Sequence, residues 1–158
     1  MIKKMKNFVA EDIMSRDLTA MMEDDRLLDA IHVLYSHSLS GLPVIDEDWR
    51  LVGYLSESDI LRPTIPTYLE ILAQSSFLGN EENILFQRFG AMKDSQVRDI
   101  MHKEPVFVSP QTNIMTVADL MLRKQIKRLP VVDSSKLVGV IERGAFCEFL
   151  MEGGSKGA

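Results

Sequence analysis

Leu42-Pro43-Val44-Ile45-Asp46 returns 87 positions later, from 42 to 129, as Leu129-Pro130-Val131-Val132-Asp133. Such self-similarity decides the architecture before any single element does, because a repeating chain stacks copies of one unit. Working outward, Asp12-Ile13-Met14 recurs at the same offset as Asp99-Ile100-Met101, with no gap needed in between. Downstream, Leu51-Val52-Gly53 matches Leu137-Val138-Gly139 at an offset of 86, from 51 to 137, so the second copy has a turn one residue shorter. Three motifs in one order at nearly constant spacing mark a duplicated unit.

The segments between the motifs agree as well. Leu27, Ile31, Leu34 and Leu39 in the first copy, and Ile114, Val117, Met121 and Ile126 in the second, have the spacing of an amphipathic helix. The apolar runs 42–46 and 51–55 flank the polar turn Glu47-Asp48-Trp49-Arg50 and predict a β-hairpin; for Trp49 in that turn, an exposed contact surface and packing against the insertion are both open. Its counterpart is 129–133 and 137–141 across Ser134-Ser135-Lys136. A helix follows each hairpin, from Glu57 to a stop near Pro63 and from about Gly144 to Glu152. Each copy is therefore helix, strand, strand, helix with an extra segment in front, an α/β chain of the α+β type. A unit this small cannot bury both faces of its sheet. The two copies are expected to pack in a pseudo-twofold arrangement, and the pair to form a homodimer.

The boundaries that follow are 8–62 for the first repeat, 63–96 for a helical insertion and 97–152 for the second repeat. The insertion carries two helical stripes, one of Ile65, Tyr68, Leu69 and Leu72 and one of Ile84, Leu85, Phe86, Phe89 and Met92, parted by Gly79-Asn80. A connector this apolar is expected to be packed; capping the sheet, covering a ligand cleft and extending a dimer surface are all open to it. The end, Gly153 to Ala158, reads as flexible.

Hydrophobic residues make up 46% and charged residues 26%, the balance of a folded globular chain. A net charge of −5 argues against nucleic acid as a partner. No apolar run approaches the roughly 18 residues of a membrane span. The basic start, Met1 to Lys6, meets Glu11 and Asp12 before any apolar stretch, so it does not read as a signal peptide. The single Cys147 stands among Ala145, Phe146, Phe149 and Leu150 and is expected to be a buried, inert thiol. Together these point to a reducing, cytoplasmic setting. His32, His37 and His102 lack a metal-ligand spacing, and no Ser-His-Asp set, glycine-rich phosphate loop or paired-carboxylate motif is present, so the chain is not expected to be an enzyme or to require a cofactor or metal.

The order D-I-M, amphipathic helix, L-P-V-[IV]-D, L-V-G and short helix resembles the CBS domain, and two in tandem resemble a Bateman module. The resemblance covers both repeats. It implies a cleft between them for an adenosine compound such as AMP, ADP, ATP or S-adenosylmethionine, and a regulated partner protein that the sequence does not identify. Gly53-Tyr54-Leu55-Ser56-Glu57-Ser58-Asp59 fits the family pattern of a Gly followed at intervals of three by Ser or Thr and then Asp. The implied role of Asp59 is to accept hydrogen bonds from the ribose hydroxyls, with Ser56 on the ribose or phosphate. A carboxylate suits a vicinal diol because it offers two strong acceptors. Ser40, Gly41, Leu42 and Pro43, with Thr19, Ala20 and Met21, would line the base pocket, and Lys127 and Arg128 could reach a phosphate.

The second copy departs from the pattern. Glu142 stands where Ser or Thr is expected, Ala145 replaces the Asp, and Phe107 takes the place of Ala20, which implies one ligand per chain at most. Ser56 and Asp59 also have a purely structural reading, as a capping box at a helix start, and Lys127 and Arg128 could be ordinary exposed loop residues. Two functions therefore stand: a regulatory adenosine binder, favoured by Gly53, Ser56 and Asp59, and a structural dimerisation module without a ligand, favoured by the altered second copy.

Overall fold

A computed structural model of the chain describes residues 7–67 and 81–154. In chain order the elements are α1 (Ala10–Ile13), β1 (Met21–Met22), α2 (Leu27–Ser36), β2 (Gly41–Ile45), β3 (Leu51–Ser56), α3 (Glu57–Leu61) and a 3-10 turn (Arg62–Thr64). After these come α4 (Glu81–Met92), α5 (Val97–Ile100), α6 (Ile114–Arg123), β4 (Arg128–Asp133), β5 (Lys136–Glu142) and α7 (Arg143–Met151). Small sheets packed with helices are what the doubled motifs call for. Of the insertion, α4 forms on the second predicted stripe. Tyr68, Leu69, Leu72 and Gly79-Asn80 lie outside the described residues, as do Met1 to Lys6 and residues 155–158.

The described residues gather into two compact units, one of 20–46, 52–67 and 81–104, the other of 7–19, 47–51 and 105–154. The first holds a three-stranded sheet in the order β1-β2-β3, with β1 parallel to β2 through Met21 opposite Val44 and Met22 opposite Ile45. Its core is built from Leu27, Ala30 and Leu34 of α2, Leu42 and Val44 of β2, Leu55 of β3 and Val97 of α5. The second holds the antiparallel β4-β5 hairpin, turned by Ser134 and Ser135, both at positive φ (52° and 71°), as a tight two-residue turn requires. Its core gathers Val117 and Met121 of α6, Leu129 and Val131, Ile141, and Phe146 and Phe149 of α7.

These units are not the two sequence repeats. Each takes its D-I-M segment from the other copy. Gly53 of the first hairpin faces Met101, whose sulfur would lie 2.5 Å from a Cβ there; Gly139 of the second hairpin faces Met14, at 2.7 Å by the same measure. The glycine of each L-V-G motif thus makes room for the methionine of the other copy's D-I-M. The backbone repeats the exchange: Tyr54 and His102 trade N–H···O bonds of 3.0 and 2.8 Å, and Ser15 and Val140 trade bonds of 2.7 and 2.9 Å. The aspartates of the motif cap their own short helices, Asp12 accepting from the Val9 N–H at 2.9 Å and Asp99 from the Gln96 N–H at 3.1 Å.

Two expectations need correction. Cys147 is exposed, because α7 buries Phe146 and Phe149 and turns the intervening positions outward. Arg128 is no exposed loop residue: it opens β4 and is 4% exposed. Trp49, in the first hairpin's turn, is 44% exposed and adopts φ 64°.

Candidate functional site

The topology of the first unit brings most of the sequence-selected residues to one end of one sheet. Strand β1 runs parallel to β2 with Met21 beside Val44, so Ala20, just before β1, falls level with Pro43, two residues in from where β2 begins. Ser40 precedes β2 and Gly41 opens it. Strand β3 ends at Ser56, and its successor α3 starts there, tied back by the Glu57 N–H donating to the Ser40 carbonyl at 3.0 Å. Ala20, Met21, Ser40, Gly41, Leu42, Pro43, Ser56 and Asp59 all belong to this unit. Thr19, Lys127 and Arg128 belong to the other.

Within the group the side chains differ in access. Leu42 and Pro43 are buried and hold the strand in the core, so they shape the site from behind. Ser40, Ser56 and Asp59 are half-buried. Asp59 lies in the first turn of α3 and closes a capping box: its Oδ2 accepts from the Ser56 N–H at 2.9 Å, and the Asp59 N–H donates to Ser56 Oγ at 3.2 Å. The Ser56 hydroxyl also donates to Oδ2 at 2.9 Å. The other oxygen, Oδ1, lies 4.0 Å from Arg62 Nη1. The cap therefore orients the carboxylate through one oxygen and holds the second beside a cation. Capping and ligand binding are compatible on this geometry.

Two residues here escaped the sequence reading. Arg62 was legible in principle, since it follows Asp59 by three on a helical turn, where side chains meet. Tyr54 was less so. Its ring lies over the Gly41 backbone, close enough that a Cβ on residue 41 would stand 2.5 Å from the hydroxyl. Gly41 is thus the residue that lets an aromatic ring settle at the sheet end.

In the other unit Arg128 Nε meets Glu142 Oε1 at 3.1 Å, and Lys127 is exposed. Thr19 is turned to its own loop, its N–H and hydroxyl both donating to Asp17 Oδ1 at 3.0 and 2.6 Å. Next to the sheet end, and sharing Ser40 and Glu57 with it, the first unit has an apolar groove of about 580 Å³ between α2, α3 and α4, lined further by Ile31, Leu39, Leu61 and Phe89. Among the described residues no group of three or more His, Cys, Asp or Glu converges as a metal site, and no helix is long and apolar enough to cross a membrane.

The family model described as CBS domain matches residues 9–63 and 97–152. An uncharacterised protein of Methanocaldococcus jannaschii, MJ1426, is 34% identical over 154 residues, spanning 89% of this chain and 90% of that protein. The chloroplastic CBS domain-containing protein CBSX1 of Arabidopsis thaliana is 34% identical over 143 residues, 81% of this chain but 57% of CBSX1, so the match covers little over half of that relative. Among solved structures, the CBS-pair protein CBSX2 of Arabidopsis thaliana superposes with a TM-score of 0.73 at 30% identity, covering 93% of this chain and 96% of CBSX2. CBSX2 has also been solved in complex with AMP, and that structure matches with a TM-score of 0.68 at 29% identity over 92% of this chain and 97% of the other.

Proposed function

The chain belongs to the CBS-domain family, and from that premise we propose that it is a non-catalytic regulatory module that binds an adenosine-type ligand: AMP, ADP, ATP or S-adenosylmethionine. The carrying observation is the convergence of Gly41, Ser56 and Asp59 at one sheet end, with the Asp59 carboxylate oriented by its own helix cap. The AMP complex of CBSX2 supports the same ligand class. On this reading the cleft between the repeats holds the ligand, Asp59 accepts from the ribose hydroxyls, Ser56 contacts the ribose or phosphate, and Ser40 to Pro43 with Thr19 to Met21 bound the base. Lys127 and the cation missed in the sequence, Arg62, are the candidates for phosphate. Arg128 is already committed to Glu142.

Such a module acts by having different affinities for ligand in two shapes, which a partner protein in the cytoplasm reads; equal affinity would shift nothing. The second reading, a ligand-free homodimerisation module, rests on one feature. Tyr35 and Leu122 occupy the same repeat position, one on α2 and one on α6, and are 87% and 72% exposed.

The deciding experiment is a thermal-shift screen of the four compounds on the wild type and on Asp59→Ala. Ligand at a hundred times its Kd adds about 2.7 kcal/mol to folding. The reading requires a shift that vanishes in the variant, measured against each protein's own unliganded melt because the variant also loses its cap. No shift with any compound overturns it in favour of the dimerisation module.

A further inference from the structure

The two repeats build the same backbone at the end of the sheet and fill it differently. The Glu57 N–H donates to the Ser40 carbonyl at 3.0 Å, and at the matching positions the Arg143 N–H donates to the Lys127 carbonyl, also at 3.0 Å. Gly41, Ser56 and Asp59 of the first repeat therefore correspond to Arg128, Glu142 and Ala145 of the second. Arg128 and Glu142 are direct cross-strand partners in the β4-β5 ladder, and their side chains join at 3.1 Å. The Arg128 side chain is 4% exposed and that of Glu142 47%. Helix α7, which starts at this point, has no side-chain cap bond where α3 has its Ser56-Asp59 box.

From this we propose that the Arg128–Glu142 pair closes the second repeat's counterpart of the candidate site to nucleotides, so that each chain carries one site. The inference rests on the adenosine reading of the first repeat and names the device that keeps the second from sharing it. Two physical effects act together. The Arg128 guanidinium is withdrawn from water and pairs with Glu142 across the ladder, and drawing a partly buried pair apart to admit a ligand is costly. The Glu142 carboxylate stands where Ser56 offers a neutral hydroxyl, so an approaching phosphate meets a like charge.

The experiment is calorimetric titration of the whole chain with AMP. The wild type should bind one AMP per chain, and the triple variant Arg128→Gly, Glu142→Ser, Ala145→Asp should bind two. A circular-dichroism melt checks the fold, and Arg128→Ala replaces Arg128→Gly should glycine loosen β4. Two AMP per wild-type chain, or a folded triple variant that binds no more than the wild type, overturns the inference. A wild type that binds none while the triple variant binds one refutes the first-repeat reading and leaves the closure standing.

Discussion

Replacing Gly139 with Ala tests the exchange of D-I-M segments directly. A Cβ on Gly139 would lie 2.7 Å from Met14 Sδ and 2.8 Å from the Ser15 carbonyl oxygen. The thioether can swing aside; the carbonyl cannot, because it accepts the Val140 N–H at 2.9 Å in the bridge that holds α1's segment to β5. Overpacking a filled core costs about 1–3 kcal/mol, and straining a ladder hydrogen bond adds about 0.5–1.5 kcal/mol. For a chain of this size the combined loss lowers Tm by roughly 5–15 °C. Gly53→Ala should cost less, because the closest atom there is the flexible Met101 sulfur and the nearest backbone oxygen, of His102, is 3.1 Å away. Gly144→Ala is the control: nothing lies within 4 Å of its added methyl, and an exposed helical glycine gains about 0.5–1 kcal/mol on becoming alanine. Thermal melts followed by circular dichroism rank the three. A Gly139→Ala protein melting within about two degrees of the wild type, or more stable than Gly53→Ala, would refute the packing argument.

Three further outcomes are expected. Phe149, 6% exposed, meets Phe8 edge-on at 5.1 Å, so Phe149→Ala should lose about 3–5 kcal/mol, with a coupling of about 0.5–1.5 kcal/mol to Phe8→Ala in a double-mutant cycle by urea titration. Removing the half-exposed partner of a buried guanidinium with Glu142→Ala should cost about 1–3 kcal/mol, whereas Asp119→Asn, which breaks an exposed pair with Arg123, should change stability by less than about 0.5 kcal/mol. Equal losses in the two would count against the burial argument. Placing Glu at both Tyr35 and Leu122 should halve the mass seen by light scattering if these exposed faces pair two chains; an unchanged mass places the interface elsewhere.

Much of the fold could be read from the chain because its signals are local. Alternating apolar runs around polar turns gave both hairpins, and the stripes of Leu27 to Leu34 and of Ile114 to Met121 gave α2 and α6. Which D-I-M serves which L-V-G could not be read, since identical motifs carry no label for their partner. The exposure of Cys147 was hidden because apolar neighbours in sequence are a hundred degrees apart around a helix. The burial of Arg128 was hidden because it depends on the residue across the ladder, Glu142, which lies 14 positions away in sequence. In the candidate site, the Ser56-Asp59 box was visible as spacing, while the Tyr54 ring over Gly41 depends on contacts between strands that no single-strand pattern encodes.

The crossing of D-I-M segments bears on how such a chain could arise. One repeat alone would leave Gly53 bare of its methionine, and could be completed only by a second molecule lending the missing piece. Completion would then fall away on dilution. Joining two copies in one chain turns that encounter into an internal one with a high, fixed effective concentration. It also frees the copies to differ, because each position now occurs in two places that mutate separately. Arg128 and Glu142 in one copy, where the other has Gly41 and Ser56, are the kind of divergence that a dimer of identical single repeats could never hold.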